Sequence, residues 1–257
     1  MKKIILITVM GLFTSLIFAQ EKGTFDITAS LNNQWYWRGY AVGPDPLVSA
    51  QASFKYKGLE IGTWNGMSLS GTFKDVDTYI SYSNSGFTIS LWDIFNYSDY
   101  TASAGFAGYL NHTQANYFNY GTGTRHFIDL SIGYAIPKTN LNLFLATIIG
   151  GRDRNADHSQ RYSSYFKASY NFSLENNVTV SPYVSYGFAL NSDGGGTFWQ
   201  WTDKAVTDAK SSGFNEIGIN ISKPIKITDT YSIKASAGAV ASPINHTMTG
   251  LLGVTLF

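Results

Sequence analysis

The stretch that decides the fold is Val48–Thr63, which reads VSAQASFKYKGLEIGT. Apolar side chains alternate with polar ones on both sides of Lys57-Gly58, a dipeptide typical of a tight turn. Alternation with a period of two is the pattern of a β-strand with one apolar and one polar face. The stretch therefore predicts an antiparallel β-hairpin.

The same alternation recurs along the chain from Phe25 to Phe257 and predicts about twelve strands, with 10–14 possible, most of them near the ~9–11 residues of a tilted membrane strand. Short connections at 57–58, 84–86, 137–140 and 173–177 alternate with long ones at 65–75, 98–124, 151–160 and 189–213. Short turns at one end and long loops at the other are typical of bacterial outer-membrane barrels. We therefore predict an all-β, transmembrane, antiparallel up-and-down β-barrel.

The composition agrees with a barrel wall. Charged residues make up 14% of the 257 residues and aromatic ones 16%, with a mean hydropathy of −0.07, whereas soluble domains carry roughly 25% charged residues. A secreted soluble β-sandwich is the competing interpretation, but it has no reason to alternate short and long connections. The net charge of +1 and the lack of cysteine argue against a nucleic-acid partner and thiolate chemistry.

The first residues have the layout of a secretory signal. Lys2 and Lys3 precede the uncharged apolar run Ile4–Phe18, and the small residue Ala19 follows. The run is shorter than the ~20 residues of a membrane-spanning helix, although an uncleaved anchor remains the alternative. We predict a cleaved signal peptide at 1–19 and a single transmembrane barrel at 20–257, in the outer membrane of a Gram-negative bacterium. Expected partners are outer-membrane lipid, lipopolysaccharide and, through the terminal Phe257, the barrel-assembly machinery.

The alternation also predicts which charged side chains face the barrel interior. These candidate pore-lining residues are Arg38, Lys55, Glu60, Asp77, Asp129, Lys167, Glu216 and Lys234. They line either a narrow water-filled channel for small solutes or ions, or a lumen filled by salt bridges. The same parity places Trp35 and Trp37 on the lipid face as part of an aromatic girdle.

Three further features are ambiguous. Asp93 continues a lipid-facing row, which predicts a bulge before it or an error in parity. Pro182 lies inside a strand and also suggests a bulge. Two of the long loops are rich in aromatic residues, namely Tyr100, Phe106, Tyr109, Tyr117, Phe118, Tyr120, Phe198, Trp199 and Trp201. These rings either pack on each other and on lipopolysaccharide, or they bind a sugar or constrict the pore.

Enzyme function is not expected. Outer-membrane lipid-modifying enzymes need a nucleophile and a histidine within reach of each other, and neither His126 with Ser131 nor the loop triplet Asp157-His158-Ser159 fits a known hydrolase pattern. The spacing of the loop aspartates matches no calcium site. We predict no catalytic residue, cofactor or metal, and retain a non-conducting structural or adhesive barrel as the main alternative to a porin.

Four short motifs resemble the TorF-type porin family. They are Gln34–Tyr40 (QWYWRGY), Asp45-Pro46, Leu59–Trp64 (LEIGTW) and Val76–Tyr79 (VDTY), within the part of the chain from 25 to 92. Their order along the chain is similar to that of the family. Its members have an aromatic residue followed by Arg-Gly, a nearby proline, a G-x-W motif and an acidic residue at the start of the next strand. The resemblance implies an outer-membrane barrel of porin function and names no solute. The Phe18-Ala19-Gln20 junction resembles signal peptides of the Bacteroidota.

Overall fold

A computed structural model describes residues 22–43, 45–98, 115–121, 123–193 and 212–257. The predicted signal peptide lies outside these residues, as do six loop aromatics: Tyr100, Phe106, Tyr109, Phe198, Trp199 and Trp201. The described strands are β1 (Thr24–Asn32), β2 (Trp35–Trp37), β3 (Tyr40–Gly43), β4 (Leu47–Tyr56), β5 (Leu59–Ser68), β6 (Lys74–Asn84), β7 (Phe87–Asn96), β8 (His126–Ala135), β9 (Leu141–Gly151), β10 (Ser163–Tyr170), β11 (Phe172–Ser173), β12 (Thr179–Ala189), β13 (Ser212–Lys226), β14 (Ser232–Ser242) and β15 (Thr247–Thr255).

Twelve of these strands form one closed antiparallel barrel, which confirms the predicted fold class and strand number. In ring order they are β1, β4, β5, β6, β7, β8, β9, β10, β12, β13, β14 and β15, and β1 pairs with β15 to close the ring. The strands β2 and β3 form a separate hairpin, and β11 is a short extension beside β12. Closure leaves no sheet edge unpaired, which is the condition for a sheet to cross a membrane.

The connections separate into a short-turn end and a long-loop end. Turns at Lys57-Gly58 and Ser85-Gly86 have positive φ at both residues, the conformation that favours two-residue hairpins. At the other end lie the hairpin between β1 and β4 and the connections after β7, β9 and β12. One expected long loop is shorter than predicted, because β5 extends to Ser68 and β6 begins at Lys74.

The two faces of the wall differ as the alternation predicts. Outward side chains such as Ile27, Ile61 and Ile80 are 61%, 36% and 45% exposed. Inward positions on the same strands are mostly polar, and several are buried, including Ser49, Ser53, Asp77 and Asp129. The barrel therefore presents an apolar outer surface and a polar lumen. No helix among the described residues is long and apolar enough to cross a membrane.

The prediction that Trp35 and Trp37 lie on the lipid face is wrong. β1 ends at Asn32, and both tryptophans belong to the β2–β3 hairpin, which folds into the lumen. The Trp37 ring lies 6.2 Å from that of Phe127, an inward residue of β8 on the opposite wall. The error arose because period two continues through β2 although the chain has left the wall at Asn33 and Gln34.

The bulge proposed before Asp93 does not form. The register of β7 with both β6 and β8 is continuous through Asp93, so the parity was right and the carboxylate faces outward. Pro182 keeps its register with Ile219 on β13, whereas the ladder on its other side is interrupted between β10 and β11. The proline thus sits where its missing N–H costs no ladder bond, and the bulge of β12 lies further on, between Ser185 and Tyr186.

The seam that closes the barrel has a short register. Ser30, Leu31 and Asn32 of β1 pair with Thr255, Val254 and Gly253 of β15. Side chains from the root of the hairpin reinforce it, since the amides of Asn33 and Gln34 donate to the Gly250 carbonyl at 3.0 and 2.9 Å. The root of the hairpin is therefore attached to the last strand as well as the first.

Candidate functional site

The tip of the β2–β3 hairpin is held by a tight turn and two amides. Arg38 and Gly39 have φ of 48° and 101°, and a Cβ at Gly39 would lie 2.8 Å from Asn215 Nδ2, so only glycine fits. Asn215 donates to the Arg38 carbonyl at 2.5 Å and Asn245 to the Gly39 carbonyl at 2.9 Å. These bonds fix the hairpin tip relative to β13 and to the β14–β15 connection.

Arg38 extends from this turn to the opposite wall. Its Nη1 lies 2.6 Å from Asp129 Oδ2 on β8, and the two side chains are 10% and 1% exposed. The guanidinium also lies over the rings of Trp37, Tyr165 and Phe144, at 4.8, 5.4 and 5.8 Å from their centroids. A buried ion pair with aromatic neighbours therefore links the hairpin to the far side of the barrel.

An apolar cluster continues this contact. Its buried members are Tyr40, Ile94, Phe127, Ile148 and Tyr165, which come from β3 and from four wall strands. Beside it, a cavity of about 30 Å³ separates the hairpin from Asp75, Asp77 and Arg152, enough room for roughly one water molecule. This half of the lumen is densely packed.

Glu216 is the second buried charge near the hairpin. Its carboxylate accepts hydrogen bonds from Tyr165 and, at 2.8 Å, from Ser185. Burial, reinforced by Glu216 and Tyr183, raises the pKa of the Tyr36 hydroxyl on the hairpin, so this phenol stays neutral. Glu216 of β13 thus accepts hydrogen bonds from two other wall strands, β10 and β12, and it faces the hairpin.

A separate group of charges occupies the short-turn end. Lys55 Nζ lies 2.7 Å from Asp26 and 3.8 Å from Glu60. Tyr79 donates to Glu60 at 2.7 Å and stacks on Trp92 at 4.2 Å between ring centroids. These contacts bring charges of both signs together on the β1–β7 side of the lumen.

All eight predicted pore-lining side chains lie in the interior, although their role in a pore stays a prediction. Arg38 reaches it from the hairpin and not from the wall as expected. Arg38, Asp129, Lys167 and Glu216 share one region, since Lys167 interacts electrostatically with both Glu216 and Arg38. Sequence reasoning missed Asp26 and Asp75, which the same parity would have identified, and Arg152, which lies just beyond β9 and carried no signal.

An open space in the lumen lies between the hairpin root and the wall from β10 to β15. Its volume is about 470 Å³, within the ~300–1,000 Å³ of small-molecule sites. Its lining is mostly amide, hydroxyl and ammonium groups, and includes Lys167, Lys234, Asn32, Asn220, Ser169 and Ser222. The hairpin therefore divides the lumen into a packed half and an open polar half.

Residues 115–121 and 123–125 form a segment, here called the strap, that covers the outward side chain of Asp93. Asp93 Oδ1 lies 2.5 Å from Nδ1 of His126, and Tyr120 donates to Asp93 Oδ2 at 2.6 Å. The other imidazole nitrogen faces the Tyr117 carbonyl at 2.8 Å. Both ring nitrogens are therefore engaged by oxygen atoms of Asp93 and Tyr117. Neither nitrogen is open to a nucleophile, and Ser131 lies on the opposite face of β8.

Aromatic rings also pack around the contact between Asp93 and His126. The rings of Tyr120 and Tyr117 lie 4.1 and 5.1 Å from that of His126, and His126 is fully buried although it points outward. Burial and the neighbouring Asp93 raise the pKa of Tyr120, which keeps its hydroxyl as a donor. These loop aromatics pack on the outer wall and on each other, not into the lumen. Phe118 remains 86% exposed.

We expect Asp93→Asn to loosen this strap. The change removes the charge opposite His126, a loss of about 1–3 kcal/mol for a partly buried charged hydrogen bond. Amide hydrogens of residues 115–121 should then exchange faster, as measured by mass spectrometry on the folded protein. Asp157→Asn, in an exposed loop, is the matched control. Unchanged exchange in Asp93→Asn would show that the aromatic contacts alone hold the strap.

Comparisons with known proteins report the fold only. No protein-family model and no curated protein matches the chain. Among solved structures, the KdgM porin is 12% identical over 91% of this chain and 99% of its own, with a TM-score of 0.45. The NanC porin is 9% identical over 90% and 98%, with a TM-score of 0.46. The translocator domain of the autotransporter NalP from Neisseria meningitidis is 8% identical over 100% and 95%, with a TM-score of 0.36.

These values assign no family and no solute. Among the described residues, no group of three or more His, Cys, Asp or Glu side chains is placed to hold a metal ion. The described strands form a closed antiparallel barrel of twelve strands.

Proposed function

We propose that this protein is an outer-membrane channel for the passive diffusion of small solutes or ions, narrowed by the β2–β3 hairpin. The observation that carries the proposal is the coexistence of an apolar outer surface with a polar lumen that holds an open cavity of about 470 Å³. A closed sheet with these two faces satisfies its backbone in lipid and keeps its polar side chains wet.

The remaining parts of the proposal follow from the sequence. Residues 1–19 direct export and are removed, and the TorF-type resemblance of residues 25–92 agrees with porin function. Phe257 is the proposed signal for the barrel-assembly machinery, and the strap and long loops meet lipopolysaccharide. Passage through the barrel needs no catalytic group.

A non-conducting structural barrel is the second candidate. The observation that favours it is the packed half of the lumen, where the Arg38–Asp129 pair and the cluster around Phe127 join the hairpin to the opposite wall. If the hairpin closes the cross-section completely, the barrel serves as a surface scaffold and conducts nothing.

Single-channel recording distinguishes the two candidates. We expect purified protein, refolded and added to a planar bilayer in potassium chloride, to give discrete current steps that scale linearly with voltage. Lys234→Gln should shift the reversal potential in a salt gradient towards cation preference, because it removes a positive charge that lines the open cavity. A refolded, heat-modifiable barrel that inserts without current steps would contradict the channel and leave the scaffold.

A further inference from the structure

Two buried carboxyl groups of β6 lie beneath the β2–β3 hairpin. Asp75 and Asp77 are two residues apart on this strand, so both side chains point to the same face, and they are 6% and 7% exposed. Both line the cavity of about 30 Å³ that separates this wall from Trp37 and Tyr40 of the hairpin. The hairpin therefore covers the pair and keeps bulk water away from it.

The two carboxyl groups contact each other. The Asp75 and Asp77 side chains lie within hydrogen-bonding distance of each other. Within the described part of the chain no other group donates to their Oδ1 atoms, which are both buried. An ionised carboxylate can only accept a hydrogen bond, so a bond between two carboxyl groups requires a proton on one of them. Two like charges this close inside a protein are also strongly unfavourable. The geometry therefore fits one proton shared by the pair.

Among the residues that line this cavity, Arg152 carries the positive charge. It lies just beyond β9 and interacts electrostatically with Asp75. Its guanidinium carbon is 4.0 Å from the ring centroid of Phe127, which holds it beside the cavity. Asp93 of β7 acts on Asp77 from the outer side of the wall and has the opposite sign. The cation that lines the cavity thus balances one ionised carboxylate.

The other neighbours of the pair do not balance a second negative charge. The residues paired with the two positions on β5 and β7 are uncharged, namely Trp64, Gly66, Ile94 and Asn96. The hairpin contributes the Tyr40 hydroxyl to the lining, and a phenol is neutral below about pH 10. The guanidinium of Arg38 is paired with Asp129, and that of Arg125 donates to the Ser98 carbonyl. A second ionised carboxylate would therefore lack a counter-charge in the cavity.

We propose that Asp75 and Asp77 share one proton while the hairpin is docked, and that loss of this proton as the pH rises releases the hairpin from β6. A hairpin that has moved away admits water, in which both carboxyl groups ionise. The docked state therefore binds one proton more than the released state, so a rise in pH favours release. The pair lies at the long-loop end of β6 and responds to the medium on that side. The effect on conductance rests on the proposed channel, whereas the shared proton does not.

Infrared spectroscopy tests the shared proton directly. The folded protein in lipid vesicles at about pH 7, where exposed carboxyl groups are ionised, should show the carbonyl stretch of a protonated carboxyl group. Asp75→Asn and Asp77→Asn should each lose this intensity, because the amide donates to the remaining carboxylate in place of the proton. Asp229→Asn, a change at an exposed carboxylate paired with Lys226, is the matched control and should keep it. Unchanged intensity in both Asp75→Asn and Asp77→Asn would overturn the proposal.

A barrel in which a short Gly-Ser linker replaces residues 35–43 isolates the role of the hairpin. Water then reaches both carboxyl groups, and the same infrared intensity should be absent at about pH 7. In the wild-type protein the intensity should instead persist at that pH and decline as the pH is raised further. Equal intensity in the two proteins would show that the pair holds its proton without the hairpin, and the proposed coupling would then be wrong.

Planar bilayers test the release of the hairpin. We expect the single-channel conductance of the wild-type protein to rise about twofold or more between about pH 5 and about pH 9, a range in which ordinary aspartates stay ionised. Asp77→Asn should keep the lower conductance at both pH values, whereas Asp229→Asn should behave like the wild type. An equal rise in Asp77→Asn would overturn the switch. Absence of current from the wild-type protein would overturn the channel, and the infrared measurement would then decide the shared proton independently. Heat-modifiable migration of each variant shows that it has folded.

Discussion

A barrel in which residues 35–43 are replaced by a short Gly-Ser linker should conduct severalfold more current than the wild-type protein. The hairpin crosses the lumen from β1 and β4 to the opposite wall, and its aromatic side chains occupy space that ions would otherwise use. Asn32 and Leu47 are paired neighbours on β1 and β4, so a short linker can join them without strain in the wall. Single-channel conductance in potassium chloride is the measurement.

The control for this deletion is a shortening of the exposed connection after β13. The segment 227–231 joins β13 to β14 at the short-turn end, and none of its residues belongs to the apolar cluster around Phe127. Its replacement by a two-residue turn should leave conductance unchanged. Equal conductance of wild type and the 35–43 replacement, in correctly folded barrels, would show that the hairpin does not limit the current.

Arg38→Met should destabilise the folded barrel by about 3 kcal/mol or more, because it leaves the Asp129 carboxylate buried without its cation. Asp129 is 1% exposed, so water cannot replace the guanidinium without a rearrangement of the hairpin. We also expect the hairpin to detach more often, which would appear as larger and noisier currents. Urea unfolding of the protein in lipid vesicles measures the free energy.

A double-mutant comparison isolates the pair. Asp129→Asn in the Arg38→Met background should recover most of the lost stability, since both charges are then absent. Lys226→Met is the matched control, because its pair with Asp229 is exposed, with side chains 63% and 96% accessible, and such pairs contribute about 0–1 kcal/mol. A loss in Arg38→Met no greater than that in Lys226→Met would contradict a buried, tightly coupled pair.

The barrel wall was predictable from sequence because its rule is local. Each wall strand exposes alternate residues to apolar and polar surroundings, so hairpins such as Val48–Thr63 reveal both strand and turn. The hairpin at Trp35–Gly43 was missed because its residues also alternate, while their surroundings are set by β8, β9 and β10, which come more than eighty residues later in the chain. No local pattern distinguishes an aromatic row in lipid from one folded into a lumen.

The same contrast between local pattern and long-range contact applies to the charged side chains of the lumen. Parity gave the correct face for Asp129 and Glu216, but not their partners, because Arg38 and Tyr165 meet them only after the barrel has closed. Asp93 shows the opposite case. The alternation gives its outward direction, but neither the bulge nor the error in parity is found, because His126 and Tyr120 satisfy the carboxylate where it stands.

The hairpin has a mechanical consequence. It is rooted at the β1–β15 seam through Asn33 and Gln34, and its tip is bonded to β8 through Arg38 and Asp129. A tube that is braced across its diameter resists being flattened into an ellipse, so lateral pressure from the surrounding lipid would act on the hairpin. A thinner or more compressed bilayer would therefore strain the ion pair between Arg38 and Asp129 together with the aromatic contacts around it.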